Sequence, residues 1–530
     1  MVSGGCGIAG RIRVKRRYFL GSMTAAFAGA AAIPHLAAAQ EPGLETAPEP
    51  TPDPFGFEEV ARIAADLARA PYVEPPSTLT APFADLGYDA YRGIRFRRDA
   101  DPWAEIPGFG LDLLPPGMLF TRPVRINLVD KGVARPMPFD PSVFDFDASS
   151  FPPDAAQMPP GDMGWSGFRL RSALNRPGYL DELAVFQGAS YFRVLGRGNR
   201  YGLSGRGLAL STASPEGEEF PAFDEFWIHT PDTDAGTVTI HALLNSRSVA
   251  GAFEFVIRGG TDTLVATRAA LIPRRDLAEV GIAPLTSMFW FGPGDRGNFD
   301  DYRPAVHDSD GLQMLTGSGQ QLWRVLANPA TLQVSAFADR DPHGFGLMQR
   351  GRDFASYQDA EARYELRPSA WIEPAGSWGE GSVVLVEIPL HSEFHDNIVS
   401  FWRPAQPLAA GVRHDFAYVQ HFGARPGDGP PVARVVQTRS GRAVNAEGAR
   451  SFVIDFDLAA FEGQPDPVAM VSASAGKVDH AYVLRLPEHG LMRLAFEFRP
   501  ERANLAELTA RLDVDDHAVS ENWLFRWTRD

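Results

Sequence analysis

Cysteine is nearly missing from this chain: Cys6 is its only one. Disulfide stapling within the chain is therefore excluded, and no Cys cluster exists to hold zinc. After residue 40 no run is long and apolar enough to cross a bilayer, which takes roughly 20 residues. Positive charge is also short, with 50 Lys and Arg against 66 Asp and Glu and a net charge of −16. Such a surface repels phosphate backbones and anionic headgroups, so nucleic acid and stable membrane insertion are not expected. A neutral polymer is compatible with it.

Five of the 50 basic residues crowd the N-terminus. Arg11, Arg13, Lys15, Arg16 and Arg17 precede any acidic residue, and Phe19-Leu20 and an alanine-rich run from Met23 to Ile33 follow. This order is that of a secretory signal, in its twin-arginine form, with cleavage expected after Ala39. The expected location is the periplasm, reached by the twin-arginine pathway. Removing residues 1–39 takes five positive charges from a chain of −16 and leaves −21. It also removes Cys6, so stability must come from the core of about 490 remaining residues.

What the chain has in quantity is aromatic residues (11 %), 51 Gly and 44 Pro. That composition suits many short strands joined by tight turns. Residues 40–54 are proline-rich and acidic and read as an extended tether. Phe57, Val60, Ala61, Ile63, Ala64, Leu67 and Ala68 follow at helical spacing. Strand-length runs come next, among them Thr237–Leu244, Phe253–Ile257, Val383–Ile388 and Arg450–Leu458. A break falls at Arg403-Pro404-Ala405-Gln406-Pro407, beyond which about seven short strands fit an immunoglobulin-like sandwich. The expected fold is mostly β: a large sandwich over 55–402, a linker over 403–411, and an immunoglobulin-like domain over 412–530.

Generic catalytic patterns are scarce. Gly202-Leu203-Ser204-Gly205 is no nucleophile elbow, and no P-loop occurs. Gly292, Gly294 and Gly297 match a dinucleotide fingerprint by letter only, since Pro293 intervenes and no helical pattern opens there. His391 and His395 lack the Glu of a zinc-protease motif, so neither a metal nor a cofactor is expected. What remains is clusters of acid, arginine and aromatic residues. One runs over 300–312, with Asp301-Tyr302-Arg303-Pro304 and Val306-His307-Asp308-Ser309-Asp310-Gly311. Another holds Arg363-Tyr364-Glu365-Leu366-Arg367, with Trp371 beyond, and a third holds Glu393-Phe394-His395-Asp396-Asn397. Aromatic faces stack on sugar rings, charged groups bind hydroxyls, and glycoside cleavage needs two carboxyl groups of different protonation. Each cluster also has a plainer reading. Asp308–Gly311 suits a turn, Arg324 and Arg367 suit structural ion pairs, and Trp323, Trp371, Trp378 and Trp402 suit a core.

Taken together these segments resemble the periplasmic glucan biosynthesis proteins G and D, the Opg/Mdo family. The resemblance rests on Gly167-Phe168-Arg169-Leu170, the segment Phe186 to Arg193, Tyr201-Gly202-Leu203-Ser204 and Gly281 to Phe289, together with the acidic segments above. It runs from about residue 55 to the C-terminus and implies a large β-sandwich followed by an immunoglobulin-like domain. It implies a role in making osmoregulated periplasmic glucan, with β-1,2-linked glucan as the partner. Members similar to protein D are anomer-inverting endo-β-1,2-glucanases, and the twin-arginine signal fits D better than G. Carried over by motif, the general acid falls on Asp396 and the base-side carboxylate on Asp308. Glu393, Tyr364, Arg367, Tyr302, Arg303, Arg324, Trp323 and Trp371 are the expected substrate contacts. Asp396 must then hold a proton near neutral pH, with Glu393 a candidate for raising its pKa. The alternative is a non-catalytic protein that presents the nascent glucan to branching or substituting enzymes. A homodimer and other glucan-synthesis proteins are further partners this resemblance leaves open.

Overall fold

The computed structural model describes residues 54–159, 163–427, 432–444 and 446–529. The expected signal and nearly all of the expected tether lie outside the described residues. The helical spacing after them becomes a helix at Phe57–Arg69, with Phe57, Val60, Ala61 and Ala64 buried. It packs on the outer face of the largest sheet, against Trp227, Leu243 and Ile272, and Arg268 lies 4.2 Å over the Phe57 ring.

Two large sheets face each other across the main core. Among the described residues one has 10 strands and the other 15. Alternation puts aromatic rings between them. Phe168, Phe186 and Phe192 sit opposite one another on three neighbouring strands, and their rings stack with centroids 5.1 Å apart. Phe192 leaves no room beside it. A Cβ on Gly205, its partner across the next strand pair, would come within 2.6 Å of the ring.

The strands Thr237–Asn245, Val249–Arg258, Glu380–Glu387 and Arg450–Asp457 form where the β-branched and aromatic runs predict them. The domain boundary requires correction. Strand His414–Gly423, placed by sequence in the second domain, pairs on one side with Thr263–Pro273 and on the other with Ser369–Pro374. It is an inner strand of the first sandwich. Leu408 bridges to Leu277 as well, so the expected linker is pinned to that sandwich. The second sandwich starts after it. Its four-stranded sheet holds Val435–Arg442, Arg450–Asp457, Leu491–Arg499 and Lys477–Leu486. The facing layer is Val468–Ala473, Leu505–Val514 and Asn522–Thr528, with Phe452, Phe496, Trp523 and Phe525 between. That layer continues the 15-stranded sheet, because Leu322, Trp323 and Arg324 pair in parallel with Asn522, Trp523 and Leu524.

Candidate active site

The acidic clusters converge where strand ends meet. Strand Val306–His307 pairs with Phe289–Phe291 and delivers Asp308, whose N–H donates to the Met288 carbonyl at 2.8 Å. The loop after strand Glu380–Glu387 carries Glu393 and Asp396, and Asn397 fixes its return. The Asn397 side chain accepts from the Phe289 N–H at 2.8 Å and donates to the Phe289 and Ile388 carbonyls at 3.0 Å. A short turn at Tyr364–Leu366 presents Tyr364 and Arg367.

Asp308 is buried, 4 % exposed. Arg367 Nη1 lies 3.0 Å from its Oδ1, but off the direction of a hydrogen bond, so this buried oxygen keeps an unused lone pair. The lack of a side chain on Gly202 lets Arg367 lie there: a Cβ would stand 3.0 Å from the Arg367 Cβ and Cδ. Burial pushes the Asp308 carboxyl up to about 6, against the pull of Arg367, with the charges of Asp396 and Glu393 adding to the rise.

Asp396 is different. It stays open to solvent at a cavity of about 330 Å³ lined by Phe120, Gln187, Tyr191, Arg193 and Ser204. The protein packed around it raises its pKa, while Arg193, Arg367 and His395 oppose the rise. Glu393 is not a cause, contrary to the sequence expectation. Its carboxylate is turned away to Arg303 Nη1 at 2.8 Å and to the Tyr364 hydroxyl, which donates to it at 2.5 Å. Burial and that carboxylate push the phenol pKa strongly upward, so Tyr364 keeps its proton.

Asp308, Asp396, Glu393, Tyr364 and Arg367 are thus brought together. Arg303 joins them in another role than substrate contact: it is buried and clamped by Asp301, Asp359 and Glu393, each at 2.8 Å. Tyr302 is 80 % exposed, and so is Phe394 at 83 %, each beside a clamped residue in sequence. Three expected contacts lie elsewhere. Trp323 and Trp371 pack into the second core, and Arg324 is 1 % exposed in an ion pair with Glu387. Their neighbouring β runs drive them inward. Sequence reasoning missed Arg193, which faces both aspartates, and Asn397. Both lie in segments that carry the family resemblance, but no spacing rule singles them out.

The raised Asp308 carboxyl carries a testable cost. Its folded pKa lies above the ordinary 3.8, so the stability tied to its protonated form is whole below pH 4 and lost as pH rises through about 6. Asp308→Asn cannot ionise. It should be more stable than wild type at pH 7, on the order of 2–3 kcal/mol, and no more stable at pH 4. Urea unfolding at both pH values checks this.

No helix among the described residues is long and apolar enough to cross a membrane. The family model described as periplasmic glucan biosynthesis protein, MdoG, matches residues 55–527. Proteins named glucans biosynthesis protein G are similar over most of their length. That of Vibrio cholerae is 48 % identical over 477 residues, covering 89 % of this chain and 87 % of its own. That of Shewanella frigidimarina is 48 % identical over 477 residues, covering 89 % and 85 %, and that of Shewanella baltica 48 % over 478, covering 89 % and 87 %. This chain belongs to the MdoG family of periplasmic glucan biosynthesis proteins.

Proposed function

We propose that the protein cleaves β-1,2-linked glucan as an anomer-inverting endo-glucanase, or rearranges it as a transglycosylase, after twin-arginine export to the periplasm. The observation that carries this reading is a pair of carboxyls in unlike settings that share Arg193 and Arg367 as neighbours, with the charge of Asp396 acting on Asp308. Asp308 is buried with a free Oδ1 lone pair beside Arg367, and Asp396 is open to the groove. In the reaction Asp396 gives its proton to the leaving glycosidic oxygen as the C1–O bond breaks. A bound chain would cover the groove, expel water around Asp396 and raise its pKa further. At pH 7 a carboxyl of pKa about 6 is roughly nine-tenths ionised, so Asp308 can take the proton from the attacking water. Inverting enzymes hold their carboxyls roughly 6.5–9.5 Å apart, and a relay through Tyr364 or a sugar hydroxyl permits more. The nearer likeness to protein D rests on the signal alone, since the curated relatives above carry the name of protein G.

The test is incubation of purified protein with linear β-1,2-glucan, reading product masses and the anomer first formed. Hydrolysis gives shorter chains with α-anomeric reducing ends, and transfer gives redistributed lengths with no new ends. Bound but unaltered glucan would sink the enzymatic reading and favour a protein that presents the nascent chain. Glu393→Gln should lower kcat by about 10²-fold with KM little changed, because the Tyr364 hydroxyl loses its charged acceptor and Arg303 loses an anchor. Steady-state kinetics on a defined oligomer checks it.

A further inference from the structure

A second cleft lies along the seam between the two sandwiches, away from the aspartate pair. It encloses about 400 Å³ among Arg296, Arg442, Arg450, Arg526, Trp527 and Glu387. Its walls are tied together, so it is preformed. The Ser440 N–H donates to the Pro293 carbonyl at 2.9 Å and its hydroxyl to the Gly294 carbonyl at 2.7 Å, while Arg526 donates to the Val334 carbonyl at 3.0 Å.

Charge bookkeeping around the cleft leaves two cations over. Glu387 on the floor is matched by Arg324 at 2.8 Å, and Arg526 by Glu507 at 2.6 Å. Arg296 donates to the carbonyls of Asp301 and Arg303, and its charge is offset in the count by Asp295, the other carboxylate of the lining, which accepts from the Asn328 N–H at 2.9 Å. Among the described residues Arg442 and Arg450 have no carboxylate partner, and Arg450 donates to the Ser440 hydroxyl at 2.9 Å. They are also directly opposite each other in the antiparallel register of strands Val435–Arg442 and Arg450–Asp457. Opposed residues have Cβ atoms about 4.5–5.5 Å apart, and like charges in that position repel. Two repelling guanidinium groups at the mouth of a preformed cleft, in a chain of net charge −16, form a site that an anion would complete.

We propose that this cleft binds an oxyanion, a carboxylate or phosphate group, bridged by Arg442 and Arg450 beside Trp527. The anion is either free in solution or carried as a substituent on a glucan chain. Bidentate guanidinium contacts from both sides suit the planar or tetrahedral oxygens, and the ligand removes the repulsion across the strand pair.

Calorimetry with inorganic phosphate, and separately with carboxymethylated against unmodified β-1,2-glucan, tests it on the full mature chain. At least one probe should bind saturably to wild type and at least tenfold more weakly to the Arg442→Gln/Arg450→Gln double variant. Phosphate binding points to a free anion. A gain of the carboxymethylated over the plain glucan, lost in the double variant, points to a carried one. Thermal unfolding guards against misfolding: without anion the double variant should melt no lower than wild type, and phosphate or the modified glucan should raise the Tm of wild type alone. Arg442→Lys should retain part of the binding. If neither probe binds, or both bind the double variant as tightly as wild type, the proposal is overturned. Glucan cleavage by the double variant stays at the wild-type level, so this outcome is independent of the aspartate pair.

Discussion

Asp396→Asn should leave β-1,2-glucan bound and stop its conversion, with turnover falling by about 10²–10⁴-fold, the range a general acid supplies. The amide matches the carboxyl in shape but has no proton of suitable acidity to give the leaving oxygen. By the same linkage as at Asp308, replacing a carboxyl whose pKa the fold raises should not destabilise the protein at pH 7. The effect is therefore separable from stability. A β-glucoside with a leaving group that departs without protonation should restore much of the rate to Asp396→Asn. It should restore nothing to Asp308→Asn, which still lacks a base for water. Equal restoration in both variants, or depolymerisation by Asp396→Asn at the wild-type rate, ends the assignment of roles.

The second large effect is structural. Arg324 and Glu387 are each 1 % exposed, and Glu387 Oε1 also accepts from the Ala327 N–H at 2.8 Å. Removing one member of such a pair strands a buried charge. Arg324→Met should cost about 3–5 kcal/mol in urea unfolding at pH 7. Burial already raises the Glu387 pKa against the pull of Arg324. Without Arg324 it rises further, so the loss should shrink as pH falls and Glu387 takes up a proton. The double variant Arg324→Met/Glu387→Leu should recover most of the loss, since an apolar pair of similar volume carries no desolvation cost. Glu387 ends the strand from which the loop of Glu393 and Asp396 departs, so the single variant should also lose activity.

How much of this is legible in the sequence follows from the range of each interaction. The helix at Phe57–Arg69 has one buried face and the strand at Thr237–Asn245 is a short apolar, β-branched run buried on both faces over most of its length; both are local patterns, legible without the rest of the chain. The proline-rich break at 403–407 is real as a strand end, yet it does not end the domain. The next strand returns to pair with residues about 150 positions back in the chain, a choice made by the core rather than by its own residues. Trp323 and Trp371 show the converse limit. An aromatic residue near charged ones reads the same in sequence whether it faces a groove or a core. Only the pairing of its strand decides, and here Trp323 stands beside Trp523. The grouping of Asp308, Asp396, Glu393, Tyr364 and Arg367 came from family resemblance, since no spacing rule links segments 90 residues apart. Arg193 and Asn397 carry no such label, because an arginine or asparagine inside a strand-like run has no signature of its own.

The ladder joining Leu322 to Asn522 spans 200 residues of chain, and it makes the last thirty residues a precondition for the rest. Until they emerge from the ribosome, the strand Gln321–Val325 has one bare side, a template for pairing with another copy. Closing so long a loop comes late and slowly. Loss of even the final strand would therefore not yield a shorter working protein. It would yield a chain stalled with its adhesive edge uncovered, prone to clump rather than to fold.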